Sequence, residues 1–369
     1  MIRWETGRVL EERTRWPGVQ QLIVDVDGEH VRALVYTDML GEVSPGEHLA
    51  LNTNALRRGL GTGGDAFAVA RLDDSPGVGG AADGAPQQDD PPLGGHMMKA
   101  RYTPMQMMVD AIDDPESPHA TVIDAADSLH GTPVVVADLH SSLPAIIAGI
   151  RAEAPAARIV AIHTDWAALP AQFSRAAAEL RAAGHLASVI STGQAFGGDW
   201  EAVSLPSALI AAVHVLEADA VIAVQGPGNL GTGTRWGFSG IHAAEAINMA
   251  HALHGRAIHA LRVSEADQRP RHRGLSHHSL TVLERFTHVP VGLPVLAADD
   301  ALAAPIDQEV REALAPLGRE VIAVRADGLL DQLRSSPVRL STMGRGFAED
   351  LRAFLYPALA GRYAGSLFS

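Results

Sequence analysis

Short β-rich runs separated by turns fill the first 72 residues. Residues 22–36 form two such runs around Asp27-Gly28, a dipeptide typical of a two-residue hairpin turn. Further runs follow at 48–52 and 66–71, and no long helical period occurs among them. Several short strands at this spacing predict a small all-β, barrel-like domain over residues 1–72.

From about residue 130, short apolar runs alternate with amphipathic helices. The strands are expected at 134–138, 159–163, 186–190, 220–225, 257–262 and 320–324. The helices are expected at 142–154, 170–183, 205–217, 239–254 and 306–315. Continuously apolar strands between helices are typical of a parallel sheet covered on both faces. The pattern therefore predicts an α/β domain over residues 96–369, with a doubly wound, mostly parallel, Rossmann-like sheet.

Residues 73–95 separate these two patterns and consist almost entirely of Gly, Ala, Gln, Asp and Pro. Such a segment has too little apolar surface to offset the entropy lost on ordering. It is predicted to be a flexible, acidic linker rich in glycine and proline.

Composition narrows the function classes. The 369 residues carry a formal charge of −14, which argues against nucleic acid as a partner because phosphate binding relies on clustered Lys and Arg. Without any cysteine, the chain has no disulfide, thiolate metal ligand or cysteine nucleophile. No apolar run reaches the roughly 20 residues of a membrane span, and no signal core is present. We expect a cytoplasmic protein without a membrane partner, and homo-oligomerisation is compatible with its alanine-rich α/β pattern.

Polar residues gather where the predicted strands end. Asp138 and His140 follow the first strand, His163 ends the second, and His277 lies some distance after the fifth. Ligands of open α/β sheets bind beyond the carboxyl ends of the strands. These four residues are therefore candidate catalytic residues, with the imidazoles as general acids or bases.

A glycine-rich run, residues 226–240, follows the fourth strand, and we call it the glycine loop. Its start fits the G-x-G-x-x-G pattern of dinucleotide sites. However, the run is too long to enter a helix at once, and Arg262 ends the next strand where an acidic residue is expected. A more general anion cradle is the stronger hypothesis. The residues expected to bind the ligand are Gly226, Gly228, Asn229, Gly231, Thr232, Gly233, Thr234, Arg273 and Ser276.

Several alternatives stay open at these positions. Arg235 and Arg273 could clamp an anion, whereas Ser276 could equally be a helix N-cap. A metal could draw on Asp138, His140, His163, Asp165 and one residue of the His277-His278 pair, although no compact ligand spacing occurs. The sequence does not identify a cofactor or a metal.

Several stretches together resemble one bacterial family, catalogued as domain of unknown function 3866. They are residues 51–64, 95–106, 226–240 and 272–278. The resemblance covers nearly the whole chain and implies no reaction or cofactor. It draws attention to a polar cluster, His96, Lys99, Arg101 and Tyr102, which could instead dock one part of the chain on another. The glycine run 59–64 and the segment 341–346 are further candidates for turns or ligand contacts.

The leading functional hypothesis is binding, with or without turnover, of a small anionic ligand such as a nucleotide or phosphorylated metabolite. The ligand would lie on the glycine loop beside the candidate histidines. A non-enzymatic regulatory or assembly protein that uses its β-domain for interactions is the alternative, and a metal-dependent hydrolase is the third.

Overall fold

The chain forms two compact units in the computed structural model, residues 1–93 and 94–369. The structure describes residues 2–57, 59, 64–72, 95–103 and 105–368. The predicted linker 73–95 lies outside the described residues except for Gly95, and so does most of the glycine run 59–64.

The first unit contains a closed five-stranded barrel. Its elements are β1 (Trp4–Trp16), β2 (Val19–Val26), β3 (Glu29–Tyr36), α1 (Thr37–Leu40), β4 (His48–Asn52), α2 (Asn54–Arg57) and β5 (Ala66–Arg71). The strands are ordered β1-β2-β3-β5-β4, and only the β3–β5 pair is parallel. The prediction of a small barrel-like β structure is confirmed.

Alternating side chains of the barrel strands build its core, as the period of a β-strand requires. Leu22 and Val24 of β2 pack inward with Leu49 of β4. The hairpin turns at Asp27 and Gly28 with φ of 51° and 86°, as a turn of two left-handed residues demands. The predicted hairpin is therefore present.

The second unit begins with the hairpin of β6 (Met97–Lys99) and β7 (Met107–Val109). The next six strands are β8 (Pro133–Ala137), β9 (Ile159–Thr164), β10 (Ser188–Thr192), β11 (Trp200–Ala202), β12 (Ala220–Gln225) and β13 (Arg256–His259). Short paired strands follow: β14 (Val263–Ser264) with β15 (Gly274–Leu275), β16 (Leu293–Leu296) with β17 (Val321–Val324), and β18 (Ser341–Thr342) with β19 (Arg345–Gly346).

Nine helices of the second unit lie among the described residues. They are α3 (Ala120–Ala125), α4 (Leu143–Glu153), α5 (Arg175–Ala182), α6 (Leu205–His214), α7 (Ala243–Ala252), α8 (His277–Thr281), α9 (Pro305–Leu314), α10 (Leu329–Arg334) and α11 (Arg352–Gly365). A π-helical turn, Val282–Phe286, continues α8. No helix in the described ranges is long and apolar enough to cross a membrane.

The six long strands form one parallel sheet in the order β11-β10-β9-β12-β8-β13. Alternate residues of β8 enter two different cores, because Val134 and Val136 pack with α6 and α7 whereas Val135 and Ala137 pack with α4 and α11. Helices therefore cover both faces of the sheet, and the predicted parallel α/β architecture is present. The strand order differs from the 3-2-1-4-5-6 order of the dinucleotide-binding fold.

Beyond β13 the sheet is continued by a second, smaller layer. A parallel bridge joins Ile258 to Gly292, immediately before β16, and β16 pairs in parallel with β17. The side chains of β16 and β17 share a third core with α9, α10 and the C-terminal helix α11. This layer places the segments around β14, β15 and β18 beside the carboxyl ends of the central strands.

Candidate functional site at the carboxyl edge of the sheet

Four neighbouring strands of the sheet, β9, β12, β8 and β13, end in polar residues or are followed by them. His163 lies in β9, Gln225 ends β12, Asp138 follows β8, and Arg262 lies three residues beyond β13. These strands are neighbours in the sheet, so their carboxyl ends meet at one edge. The chain leaves β8 for β9 and returns later to place β12 between them, which makes this edge a topological switch point, where α/β sheets bind ligands.

The half-buried His140 and the buried His163 form a pair at this edge, with ring centroids 6.3 Å apart. The ring nitrogens of His140 contact the Gln225 carbonyl oxygen at 3.0 Å and the Ser174 hydroxyl at 2.5 Å. His163 Nε2 donates to the Ala168 carbonyl oxygen at 2.8 Å. Burial lowers the pKa of both imidazoles to about 4, so both are neutral at pH 7. Their hydrogen bonds tie the β8, β9 and β12 ends together.

Replacing His163 with glutamine is expected to reduce the loss of unfolding free energy that occurs as the pH falls from 6.5 to 4. The folded pKa of about 4 lies below the ordinary 6.5, so the unfolded chain takes up a proton first as the pH falls. His163 therefore stabilises the fold fully above pH 6.5 and loses that contribution, roughly 3 kcal/mol, between pH 6.5 and 4. Glutamine can keep the bond to Ala168 without titrating.

Urea unfolding of the parent and His163→Gln proteins at several pH values between 4 and 7 measures this effect. The difference in unfolding free energy between the two proteins should change across that window. His254→Gln is the matched control, because His254 is exposed at the end of α7. A parallel pH dependence in all three proteins would show that His163 is protonated as readily when folded as when unfolded.

Asp138, His278 and Arg262 lie in a row beside this pair. His278 Nδ1 is 3.7 Å from Asp138 Oδ2 and accepts a hydrogen bond from Arg262 Nη1 at 3.1 Å. Asp138 is 1% exposed, and its Oδ2 has no hydrogen-bond partner among the described residues. Burial alone would raise the Asp138 pKa, but His278 and Arg262 hold that pKa below its usual value. The buried Asp138 carboxylate and the buried Arg262 guanidinium thus both lie next to the His278 imidazole.

Three histidines form a cluster next to that row: His272, His277 and His278. Their ring centroids are 4.4–5.0 Å apart. The Ser276 hydroxyl lies 2.8 Å from His272 Nδ1 and accepts from the His278 amide at 3.2 Å, so Ser276 is the N-cap of α8. Burial first, and then the charges of neighbours such as Arg262, lower the pKa of His272 to about 3 and that of His277 to about 4. His272 and His277 are therefore neutral at pH 7.

The first residues of the glycine loop close tightly over the sheet edge. A Cβ atom on Gly226 would lie 2.2 Å from the Ala168 carbonyl oxygen and 2.7 Å from the His163 ring, so only glycine fits there. Gln225 Nε2 donates to the Asp138 carbonyl oxygen at 2.6 Å and to Asn229 Oδ1 at 3.2 Å. Gly226 and Asn229 are therefore part of the strand-end arrangement.

The rest of the glycine loop projects from the sheet as a hairpin. Gly231 bridges to Phe238, the Thr232 amide donates to the Gly237 carbonyl oxygen at 2.8 Å, and residues 230–236 are exposed. The helical chain resumes only with the 3-10 turn Ser239–His242. The motif glycines thus lead into a hairpin before any helix begins.

The predicted ligand residues of this hairpin and its surroundings are spread over the surface. The Thr232 and Thr234 hydroxyls bond to each other at 3.0 Å, while Gly233 lies against the Arg271 guanidinium. Arg235 lies over the Trp236 ring at 4.4 Å and pairs with Glu284 at 3.3 Å. Arg273 is exposed. The structure brings Asp138, Gly226 and Asn229 together but places these residues further out.

A narrow cleft lies on the far side of Arg262, and we call it the strand-end cleft. It is lined by Leu139, Ser142, Arg262, Val263, Ser264, Asp267, Thr342, Met343, Arg345, Ala353 and Pro357. Its free volume is about 10 Å³, space for about one water molecule. Within the described residues, the Arg262 guanidinium makes one hydrogen bond, to His278, so its other donors remain for the cleft.

The hairpin β18–β19, residues 341–346, closes this cleft, and we call it the strap. The Ser141 hydroxyl donates to the Thr342 hydroxyl at 2.9 Å. Arg345 donates to Asp350 at 2.8 Å and to Asp267 at 3.3 Å. The segment 341–346 therefore places Arg345 in the lining of the cleft.

Lys99, from the polar cluster noted in the sequence, is fully buried. Its Nζ donates to the Gly193 and Ala195 carbonyl oxygens at 2.9 and 2.7 Å and pairs with Glu201 at 3.0 Å. Burial lowers the Lys99 pKa and raises that of Glu201, while their attraction opposes both shifts. Lys99 thus fastens the β6–β7 hairpin to the ends of β10 and β11, whereas Arg101 and Tyr102 are exposed.

Sequence reasoning did not select Gln225, Arg262 or His272 as site residues, and it named His278 only as one of a pair that could supply a metal ligand. Arg262 was noted only as a departure from the dinucleotide pattern, although an arginine directly after an apolar strand is itself a signal. His278 lay within the noted pair, but the sequence could not say which histidine of that pair faces Asp138. Gln225 carries no signal beyond ending a buried strand.

The fold and the site together define a class: a two-unit protein in which a small β-barrel precedes a parallel α/β unit with a histidine cluster and a buried arginine at its switch point. A family model described as "Protein of unknown function (DUF3866)" matches residues 32–361. The chain belongs to this family, which confirms the resemblance found in its sequence. No curated protein and no solved structure matches the chain significantly.

Proposed function

We propose that the protein binds a small anionic ligand at the carboxyl edge of the α/β sheet, and that Arg262 is the residue that holds the anion. The observation that carries the proposal is the Arg262 guanidinium, which is 9% exposed yet makes one hydrogen bond in the described part of the chain. A guanidinium has five N–H donors, and leaving a buried charge poorly paired is costly. An anion in the strand-end cleft satisfies the remaining donors.

The chemistry of the cleft favours one phosphoryl or carboxylate group. Ser142, Thr342 and Arg345 line it together with Arg262, and such donors suit an oxyanion. The Asp267 carboxylate also lines the cleft, but Arg269 and Arg345 pair with it. Because the free volume of about 10 Å³ holds about one water molecule, the strap must move outward to admit even one phosphoryl group. The ligand of the proposal is therefore a phosphorylated metabolite or nucleotide that inserts its terminal anionic group.

Turnover of that ligand would use the imidazoles beside Arg262. His277 and His278 offer a proton acceptor, and the buried Asp138 carboxylate lies 3.7 Å from His278 Nδ1. The α/β unit is Rossmann-like in this proposal, because its ligand would bind at the switch point of the sheet. A cytoplasmic location, self-association and the absence of a nucleic-acid partner belong to the same proposal.

Thermal unfolding with inorganic phosphate, pyrophosphate and a mononucleotide tests the proposal, each compared with sodium chloride at equal ionic strength. A ligand present at 100 times its Kd should stabilise the parent by about 2.7 kcal/mol. Arg262→Met should abolish that stabilisation, whereas Arg175→Met, at an exposed arginine of α5, should leave it unchanged.

Arg345→Met is the second variant, because loss of the buried Arg262 could itself unfold the protein. It removes a cleft guanidinium from the strap and should weaken the same response. An unresponsive parent, or a response that survives both substitutions, would contradict the proposal. An unresponsive parent would also favour the regulatory or assembly alternative.

A further inference from the structure

We propose that the histidine cluster, His272, His277 and His278, is a binding site for a divalent transition metal ion such as Zn²⁺. One ring nitrogen from each residue lies within 4.8 Å of the corresponding nitrogens of the other two. Imidazole nitrogen is a preferred ligand of zinc and its neighbours in the first transition series. The anion proposal does not require this metal, and the metal proposal does not require the anion.

The hydrogen bonds of the histidine cluster leave Nε2 of each histidine available as a metal ligand. Nδ1 of His272 is bonded to Ser276 and Nδ1 of His278 to Arg262, so Nε2 remains as the ligand atom of each. His277 Nε2 is buried and has no hydrogen-bond partner in the described chain. A buried polar atom without a partner costs free energy, and a metal ion would remove that cost. The three Nε2 atoms form the proposed ligand set.

Asp138 supplies the support that such a site needs. Histidines that bind metals usually donate their other ring N–H to a carboxylate, which fixes the ring and strengthens the ligand. Asp138 Oδ2 lies 3.7 Å from His278 Nδ1 and has no hydrogen bond. With a metal on Nε2, the His278 proton must reside on Nδ1, where Asp138 can accept it. Arg262 must then release Nδ1, since a guanidinium only donates.

The three ligand nitrogens need to move only slightly closer together to bind a metal ion. Zinc–nitrogen distances of about 2.0–2.1 Å in a tetrahedron place two ligand nitrogens about 3.3 Å apart. One ring nitrogen of each histidine now lies within 4.8 Å of the others, so the ligand nitrogens have to approach one another by about 1.5 Å from that limit. His277 is half-buried and starts α8, so rotation of its side chain can supply the movement. Three histidines leave a fourth position for water or substrate, as in catalytic zinc sites.

The other candidate histidines do not offer this. His140 contacts hydrogen-bond partners through both ring nitrogens, and His163 Nε2 is bonded to a carbonyl oxygen. The competing interpretation of the cluster is packing, because the His278 ring stacks on Phe238 with centroids 3.7 Å apart and planes within 5°. Packing predicts no metal affinity, so the two interpretations separate experimentally.

Cobalt titration of the full chain, purified without a histidine tag and treated with chelator, tests the proposal. One Co²⁺ per chain should bind and give the visible absorption bands of a low-coordinate nitrogen site, and one Zn²⁺ should displace it. Asp138→Asn should weaken binding by about 10–100-fold, and His277→Ala by more. His251→Ala, at an exposed histidine of α7, should bind like the parent.

Metal-free His277→Ala should unfold at about the same urea concentration as the metal-free parent, which shows that it folds. A parent that binds no cobalt would overturn the proposal, and so would unchanged cobalt binding in both His272→Ala and His277→Ala. Phosphate stabilisation of the metal-free parent is measured in parallel. A protein that binds phosphate but no metal would retain the anion proposal and lose this one.

Discussion

Replacing Gly361 with alanine is expected to destabilise the α/β unit by about 2–3 kcal/mol. Gly361 lies in the C-terminal helix α11, where it crosses α4 with the two backbones in contact. A Cβ atom on Gly361 would lie 2.0 Å from the Ile146 carbonyl oxygen and 3.0 Å from the Ile150 amide nitrogen. Gly149 of α4 faces the crossing in the same way, 2.0 Å from the Ala358 carbonyl oxygen. The helices must separate to admit a methyl group.

The expected change in unfolding free energy for Gly361→Ala has the opposite sign to the change that helix propensity alone predicts. Glycine to alanine inside a helix ordinarily stabilises by about 1 kcal/mol, so helix propensity and the crossing predict opposite results. Urea unfolding followed by circular dichroism measures the change. Gly365→Ala provides the graded comparison, because its Cβ would lie 2.8 Å from the Ile150 carbonyl oxygen, and it should be less harmful. A more stable Gly361→Ala protein would mean that the helices do not cross this closely.

Replacing Lys99 with methionine is expected to cost about 3–5 kcal/mol, because it leaves the carboxylate of Glu201 buried without its partner. Lys99 is fully buried and Glu201 is 9% exposed. The substitution also removes the donor for the Gly193 and Ala195 carbonyl oxygens. Methionine fills nearly the same volume, so most of the loss is electrostatic. We expect the β6–β7 hairpin to detach first.

The double variant Lys99→Met/Glu201→Gln separates charge from packing. Its neutral amide needs no counter-ion, so a substantial part of the lost unfolding free energy should return. Arg101→Met, two residues along at an exposed position, is the matched control and should be close to neutral. Hydrogen exchange at the amides of β6 and β7 locates the effect. If the single and double variants were equally unstable, the Lys99–Glu201 attraction would not be what holds the hairpin.

The sequence predicted the strands and helices of the α/β unit best where the local apolar pattern coincides with the strand pairing in the structure. β9 and β12 begin with continuous apolar runs and are buried along their whole length, so their positions follow from the local sequence pattern. β10 begins two residues later than expected, because Leu186 is buried without pairing, while the ladder to β9 starts at Ser188. β13 ends at His259 rather than Arg262, since the pairing with β8 stops there. Ladder ends depend on neighbours that the sequence does not identify.

The candidate site was harder to predict from the sequence than the strands, because more of it depends on neighbours that the sequence does not identify. Asp138, His140 and His163 were found because they follow buried strands, a local property. The relation of Asp138 to His278 and Arg262 depends on strand order, which places β13 beside β8 and brings residues from 262 to 278 to the same edge. The glycine loop was expected to cradle the ligand, but whether its glycines wrap a ligand or form a hairpin depends on the contact between Gly231 and Phe238. No pattern within the loop specifies that contact.

The position of β12 between β8 and β9 has a consequence for synthesis on the ribosome. β8 emerges first, yet its only partners in the described sheet, β12 and β13, come last among the six strands. The nascent chain can pair β9 with β10 and β11 early, but β8 must wait until residues 220–225 have left the exit tunnel. Its apolar run is meanwhile exposed to aggregation or to chaperones, as for any long-range parallel pairing. A chain that stalls before β12 would therefore present an unpaired, fully hydrophobic strand to the quality-control machinery of the cell.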